Sequence, residues 1–344
     1  MAYTTINKST DNFNTKLWTG TSDATTSVTG VGFQPDFTWI KNRDVADDHM
    51  LFDAVRGVTK RLFSNSSGAE GTDAQTLTSF DSDGFTTGNS RATGGDAGND
   101  MVSWNWKANG AGSSNTDGSI TSTVSANTTA GFSIVSYTGT GSQPATVGHG
   151  LGVTPQVVIV KPRTDAQSWC VYHESLGNTK VTYLDSASAS GGSSVWNNTS
   201  PTSSVFTVND NQVNSSGITY IAYCFASKTG YSKFGSYTGN GSTDGTFIYT
   251  GFKPAWVLIK KSSAVEDWAM FDSTRDTHNV QYKLLYANNN NAEYTGVSAR
   301  NDFLSNGFKI RTTDNKENGS GGTYIYMAFG QSLVGSNNVP CTAR

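Results

Sequence analysis

Among the 27 carboxylates of this sequence, Asp53, Glu70, Glu174, Glu266 and Asp272 are candidates for acids or bases. Hydrolysis of a glycoside needs two such groups flanking a sugar-sized gap, roughly 5 to 9 Å apart. No motif pairs any two of the five. Asp53 stands three residues before Arg56 and Asp272 three before Arg275, a spacing that suits a local ion pair better than acid–base catalysis. A third stretch of similar pattern carries His173 and Leu176 in those places, so the pair is not a constant of the pattern.

The other reactive residue types are equally scattered. His49, His149, His173 and His278 lie far from one another and from cysteine, with none of the short spacings that hold a metal. Cys170, Cys224 and Cys341 are odd in number and widely spaced, so neither a disulfide framework nor a zinc site is expected. Asp81-Ser82-Asp83-Gly84 begins like a calcium loop, but the twelfth position is Ala92 where a carboxylate belongs. No metal or other cofactor is expected, and the reading is of a protein that is not an enzyme.

Trp196 is the exception to this plainness. It sits in GGSSVWNNTSPTSS among turn-forming polar residues, and an aromatic ring beside amides and hydroxyls is a common way to hold a sugar. Trp196 with Asn197, Asn198 and Thr199 is therefore the candidate glycan-binding site. The competing reading has Trp196 covering the core edge of its own loop.

Whatever positions these residues is built three times. Trp18-Thr19-Gly20, Tyr137-Thr138-Gly139 and Tyr237-Thr238-Gly239 each open a segment, and Pro35, Pro155 and Pro254 follow. Six residues after each proline comes Lys41, Lys161 or Lys260, and eleven after that Phe52, Tyr172 or Phe271. Repeats of this kind mark an architecture of stacked units. Each closes on an apolar run, of which Met101–Trp106 is the first, with Val102, Trp104 and Trp106 alternating onto one face as in a strand packed on a core. The run after each proline, such as Val157–Val160, is apolar on both faces, which predicts a central strand covered on both sides. Each lysine that ends it is expected to bury its stem, keep its charge in water and discourage edge pairing.

Asp83-Gly84 and Asn306-Gly307, each between phenylalanines, predict hairpins. No long window shows helical apolar spacing. The expected fold is all-β, three tandem antiparallel β-sandwich-like repeats with few or no helices. The organisation is an N-terminal arm and first repeat over 1–109, a Gly/Ser/Thr-rich linker over 110–130 with at most one added strand, a second repeat over 131–228, a third over 229–333 and a tail over 334–344.

The bulk figures narrow the partners. A net charge of −3 with no long basic cluster argues against nucleic acid. No run is long and apolar enough for a bilayer, and MAYTTINKSTDNF has neither a basic start nor an apolar stretch. Neither membrane insertion nor a signal peptide is expected. A Gly/Ser/Thr/Asn-rich surface without a secretion signal fits a virion protein assembled in the host cytoplasm and released by lysis.

The runs GFSIVSYTGTGSQPATVGHGLGVTPQVVIVKPR from Gly131, WCVYHESLGN from Trp169 and SKFGSYTGNGSTDGTFIYTGFKPAWVLIKK from Ser232 resemble repetitive virion or tail-fibre-like proteins of marine bacteriophages, cyanophages among them. The opening MAYTTINKSTDNFNTKLWTGT and the close YIYMAFGQSLVGSNNVPCTAR resemble the same family. The resemblance implies a virion structural protein, a tail fibre or appendage that recognises the host surface. Its partners would be other copies of itself, as a homo-oligomer and by analogy with fibres a trimer, other virion proteins, and a host cell-surface glycan. A capsid decoration or head-fibre protein is the structural alternative, and a surface-polysaccharide depolymerase the enzymatic one.

Overall fold

The structure is a computed structural model that describes residues 4–296, 298 and 300–331. The notional tail over 334–344 and Cys341 lie outside the described residues. Among the described residues the regular structure is nearly all antiparallel β, and the two α-helical segments, Asn211–Asn214 and Asn315–Asn318, are single turns. No helix among the described residues is long and apolar enough to cross a membrane.

Each repeat pairs one large sheet with one small one. In the first, Asp100–Trp106 lies between Phe13–Thr19 and Phe37–Asn42, and Met50–Asp53 and Lys60–Phe63 extend the sheet. The third repeat copies this with Thr323–Gln331 between Ser232–Thr238 and Lys253–Lys261. The second does so with Thr219–Phe225 between Phe132–Thr138 and Val157–Pro162. The small sheets are Thr26–Thr29, Gly84–Thr87 and Leu77–Asp81 in the first repeat, and Phe247–Tyr249, Gly307–Ile310 and Asn301–Leu304 in the third. The second repeat has only Ala145–Gly148 and Val205–Val208. Both expected hairpins form, at Asp81–Gly84 and Leu304–Gly307. Asp83 secures the first by accepting from the Gly30 and Gly32 amides at 3.0 and 2.6 Å.

The segment read as a linker is more structured than expected. Ser113–Asn115 and Ser122–Asn127 form two strands, and the latter runs in register along Phe132–Thr138. Polar side chains hid this, because Ser122 and Ser125 are buried in a stretch with little apolar alternation.

Alternation gives each large sheet two faces, and both are covered. One faces its own small sheet, as when Ile40, Phe52 and Met101 meet Val28, Leu77 and Phe85. The other face of all three sheets converges on one shared core. Trp39, Trp104 and Trp106 of the first repeat, Ile159, Tyr223 and Phe225 of the second, and Trp256, Met327 and Phe329 of the third belong to it. Trp106 illustrates the density, with Phe13, Phe37, Phe225, Trp256 and Phe329 all at ring-centroid distances of 4.8 to 6.5 Å. At about 25 cal/mol per Å2 of apolar surface, burying residues of this size contributes several kcal/mol each before entropy is counted. The three repeats thus form a closed ring around a common axis.

Candidate functional site

The carboxylates that looked like acid–base candidates sit where one repeat meets the next. Asp53 pairs with Arg56, both side chains fully buried, and accepts a 2.8 Å bond from the Tyr223 hydroxyl of the second repeat. Glu70 lies 3.2 Å from Arg56 Nη1 and forks onto Arg163 of the second repeat through two 3.0 Å bonds. The third repeat meets the first in the same way. Asp272 pairs with Arg275 and accepts from Trp104 Nε1 at 3.0 Å, while Glu293 binds Arg275 at 2.8 Å and Arg43 at 2.7 Å. The neighbouring arginines hold the Glu70 and Glu293 carboxyls below the usual range against the opposing effect of burial. The expected Asp–Arg ion pairs are present, and they clamp repeats together.

The junction of the second repeat with the third uses other groups at all these positions. His173 and Leu176 replace the Asp–Arg pair, and His173 Nε2 faces the Tyr326 carbonyl at 3.2 Å. Ser190 and Ser262 stand where Glu70 meets Arg163; they keep the backbone bond of that pair, at 3.0 Å against 2.7 Å, and Ser190 Oγ adds a 3.0 Å bond to the Ser262 carbonyl in place of the ion pair. Met327 occupies the place of Tyr223 and Trp104 in the closing strand. A thioether offers no donor to a carboxylate, which accounts for the switch to a neutral ring. His173 accepts from Ser175 N on Nδ1, and burial lowers its pKa from 6.5 to about 4.

The three repeated lysines differ from expectation. Lys41, Lys161 and Lys260 are fully buried, because the strands they end are central; a loop of the preceding repeat reaches Lys161 and Lys260, while Lys41 Nζ donates to the Asn42 and Val45 carbonyls of its own repeat. Lys161 Nζ donates to the carbonyls of Ser67 and Pro162 at 3.1 and 3.0 Å, and Lys260 Nζ to those of Ala187 and Lys261 at 3.1 and 2.7 Å. Burial lowers each of the three to about 8. Trp169 Nε1 and Trp268 Nε1 add parallel bonds to the Phe63 and Tyr183 carbonyls of the repeat before.

Trp196 is a core residue. It is 2% exposed, stands edge-on to Tyr172 at 5.9 Å and belongs to the sandwich core of the second repeat. The physical reason is the missing third strand of that repeat's small sheet. Val195 and Trp196 lie in the chain where the strand would run and fill its space. No ring face is left for a sugar to stack on. Asn197 and Asn198 take left-handed backbone angles, both φ 51°, and Thr199 N closes the turn onto the Trp196 carbonyl at 2.9 Å. Asn198 and Thr199 are exposed beside a buried ring.

Among the described residues no group of three potential metal ligands converges. Cys170 and Cys224 are free and buried, and burial pushes both thiols up, in keeping with packed, inert cysteines. One further buried ionisable group had no signal in the motifs. Glu317 takes the place of Val213 in the second repeat, and burial raises it to about 7 beside Arg300 at 3.3 Å.

Among the described residues the exposed aromatics are Phe247, Tyr249, Tyr282 and Tyr294, all in the third repeat. Phe247 and Tyr249 flank buried Ile248 on an edge strand of the third repeat. Registering the small sheets puts Ser27 and Thr29 in their places in the first repeat and Thr146 and Gly148 in the second. Tyr249 borders a cleft at the second–third junction, with Gln156, Glu174, Ser227, Thr229 and Lys233. Lys233 Nζ donates to the Tyr249 carbonyl at 3.0 Å and lies 5.2 Å from the Tyr249 ring centroid. Comparing the repeats strand by strand is the sequence signal that finds this pair.

No curated protein and no solved structure matches the chain. Residues 8–332 match the family described as "Domain of unknown function (DUF7483)", and the chain belongs to that family.

Proposed function

We propose that this protein is a structural component of a bacteriophage particle, a tail fibre or appendage that meets the host surface, and not a catalyst. The observation that carries this reading is what the buried charged groups do at the junctions. Asp53 and Asp272 pair with arginines of their own repeats and accept from Tyr223 and Trp104 of the next, and Glu70 and Glu293 bind Arg163 and Arg43 across a junction. A rigid ring of three short sandwiches suits an exposed particle component that must hold its shape. The sequence runs quoted above, which resemble tail-fibre-like proteins, supply the particle context.

In this reading the protein acts as a monomeric head or as one subunit of a larger appendage. Seven of the eight tryptophans, all but Trp18, are buried within the single chain, so burying them does not require a trimer. Cryo-electron microscopy of intact particles tests the proposal. Density for the ring at the end of a tail appendage is the expected result. Density on the capsid shell would replace it with a decoration role, and absence from particles would overturn it.

A further inference from the structure

The three sandwiches differ at the mouth between the edge of the large sheet and the edge of the small one. In the second repeat the chain itself closes the mouth. Ser122–Asn127 covers Phe132–Thr138, and Ile120 N donates to the Thr146 carbonyl at 2.9 Å. In the first, Asn14 Nδ2 spans the gap to the Val31 carbonyl at 2.8 Å, and the outward residues are Ser27 and Thr29. In the third, among the described residues, no added strand covers Ser232–Thr238 or Phe247–Tyr249. There Phe247 is 43% and Tyr249 54% exposed. Side chains alone bridge that mouth, Lys233 Nζ to the Tyr249 carbonyl at 3.0 Å and Thr246 Oγ1 to the Thr238 carbonyl at 2.8 Å, and a pair of large exposed rings beside it costs solubility and contributes nothing to the core.

We propose that this cleft binds a neutral hexopyranose glycan, with Tyr249 as its stacking surface. The inference rests on the surface-recognition reading above and names the ligand class. The chemistry around Tyr249 suits a sugar. An aromatic ring takes the C–H face of a pyranose, and convergent amides, carboxylates and ammoniums take its hydroxyls. Glu174 offers acceptors only and Lys233 donors only, while the Gln156 amide and the Ser227 and Thr229 hydroxyls complete the lining. Phe247 is two residues from Tyr249 on the same strand face, about 7 Å along it, and extends the apolar strip for a second sugar unit. An added polypeptide strand fits less well. The edge strand Phe247–Tyr249 has three residues, and Lys233 on the neighbouring edge strand Ser232–Thr238 is a feature that discourages strand pairing there.

The experiment uses the full chain against an array of bacterial surface polysaccharides and neutral glucose hexasaccharides, α- and β-linked, followed by calorimetric titration. Binding of at least one neutral glycan is expected, weakened about tenfold or more by Tyr249→Ala and less by Phe247→Ala or Glu174→Gln. All three sites are exposed, and unchanged thermal midpoints would show the variants folded. No neutral glycan bound, binding unaffected by Tyr249→Ala, or Tyr249-dependent capture of peptides in place of glycans would each overturn the inference. Its fate is separable from that of the function. Appendage location without glycan binding defeats only the ligand assignment, and Tyr249-dependent binding by a capsid-bound protein defeats only the appendage.

Discussion

The junction of the first repeat with the second and that of the second with the third join equivalent surfaces by different chemistry. At the first, a buried Asp53–Arg56 pair meets a tyrosine hydroxyl and Glu70 meets an arginine. At the second, a neutral histidine meets a backbone carbonyl, and a serine hydroxyl on the Ser262 carbonyl replaces the side-chain fork of glutamate and arginine, while the backbone bond between these positions is kept. The whole set changes together, and what changes it is the receiving strand. Where that strand offers a donor, as Tyr223 or Trp104, the neighbour supplies an aspartate. Where it offers Met327, the neighbour supplies a ring that is neutral at ordinary pH. A buried charge is tolerable only with its complete set of partners, so the residues are exchanged as a unit.

The largest test of that contrast removes one member of the charged unit. Asp272→Ala leaves Arg275 buried with part of its set, and a loss of about 3 to 5 kcal/mol is expected in chemical denaturation. His173→Ala at the neutral junction is expected to lose about 1 to 3 kcal/mol. Equal losses would break the comparison.

Acid should separate the two junctions next. His173 titrates at about 4 in the fold against 6.5 when free, so the unfolded chain takes up the proton first. The stability it confers is complete above pH 6.5 and is lost as pH falls from 6.5 toward 4, on the order of 3 kcal/mol at the lower end. His49 and His149, also lowered by burial, lose stability in the same direction. The contribution of His173 is therefore the difference between wild type and His173→Gln followed from pH 7 to pH 4. Parallel curves would mean that the ring is not held neutral.

A transplant sharpens the rule. His173→Asp with Leu176→Arg puts a charged pair opposite Met327 and should destabilise the chain. Adding Met327→Tyr should recover about 1 to 3 kcal/mol as a coupling energy in the mutant cycle. The smallest effect is expected from Tyr223→Phe, which deletes one bond to Asp53 while the arginine remains, about 1 to 2 kcal/mol by thermal unfolding.

Much of the fold can be read from residue spacing, because each repeat must place a proline at or just before the start of its central strand, a lysine near its end and an aromatic residue in the next strand. Closure into a ring cannot be read that way. The same spacings would serve three separate sandwiches, and the face that packs on the axis looks like an ordinary core face. The opposite face of Asp100–Trp106 is obscured further by Ser103 and Asn105, which are buried because Asn105 Nδ2 finds the Asn14 carbonyl at 3.1 Å and Ser103 Oγ at 2.9 Å. Lys161 and Lys260 mislead because the Ser67 and Ala187 carbonyls that receive them belong to another repeat and leave no trace near them in the chain. Trp196 misleads because its polar neighbours describe a turn, while its ring answers to a strand that is missing. Phe247 and Tyr249 are legible only when the strand FIY is set against TSVT and ATVG.

The bonds that close the ring join segments far apart along the chain. Arg43 meets Glu293 across 250 residues, and Ser9 N donates to Gln331 Oε1 at 2.6 Å. A ribosome therefore releases the aromatic face of Trp39, Trp104 and Trp106 long before the third repeat exists to cover it. Contacts of such separation form late and slowly, and exposed apolar faces invite wrong partners in the interval. For chains emerging side by side from one message, the nearest available surface of the right shape is the same face on a sister chain. Yield of this protein in a cell should thus depend on how crowded its own synthesis is, with slower initiation favouring closure within one chain over exchange between two.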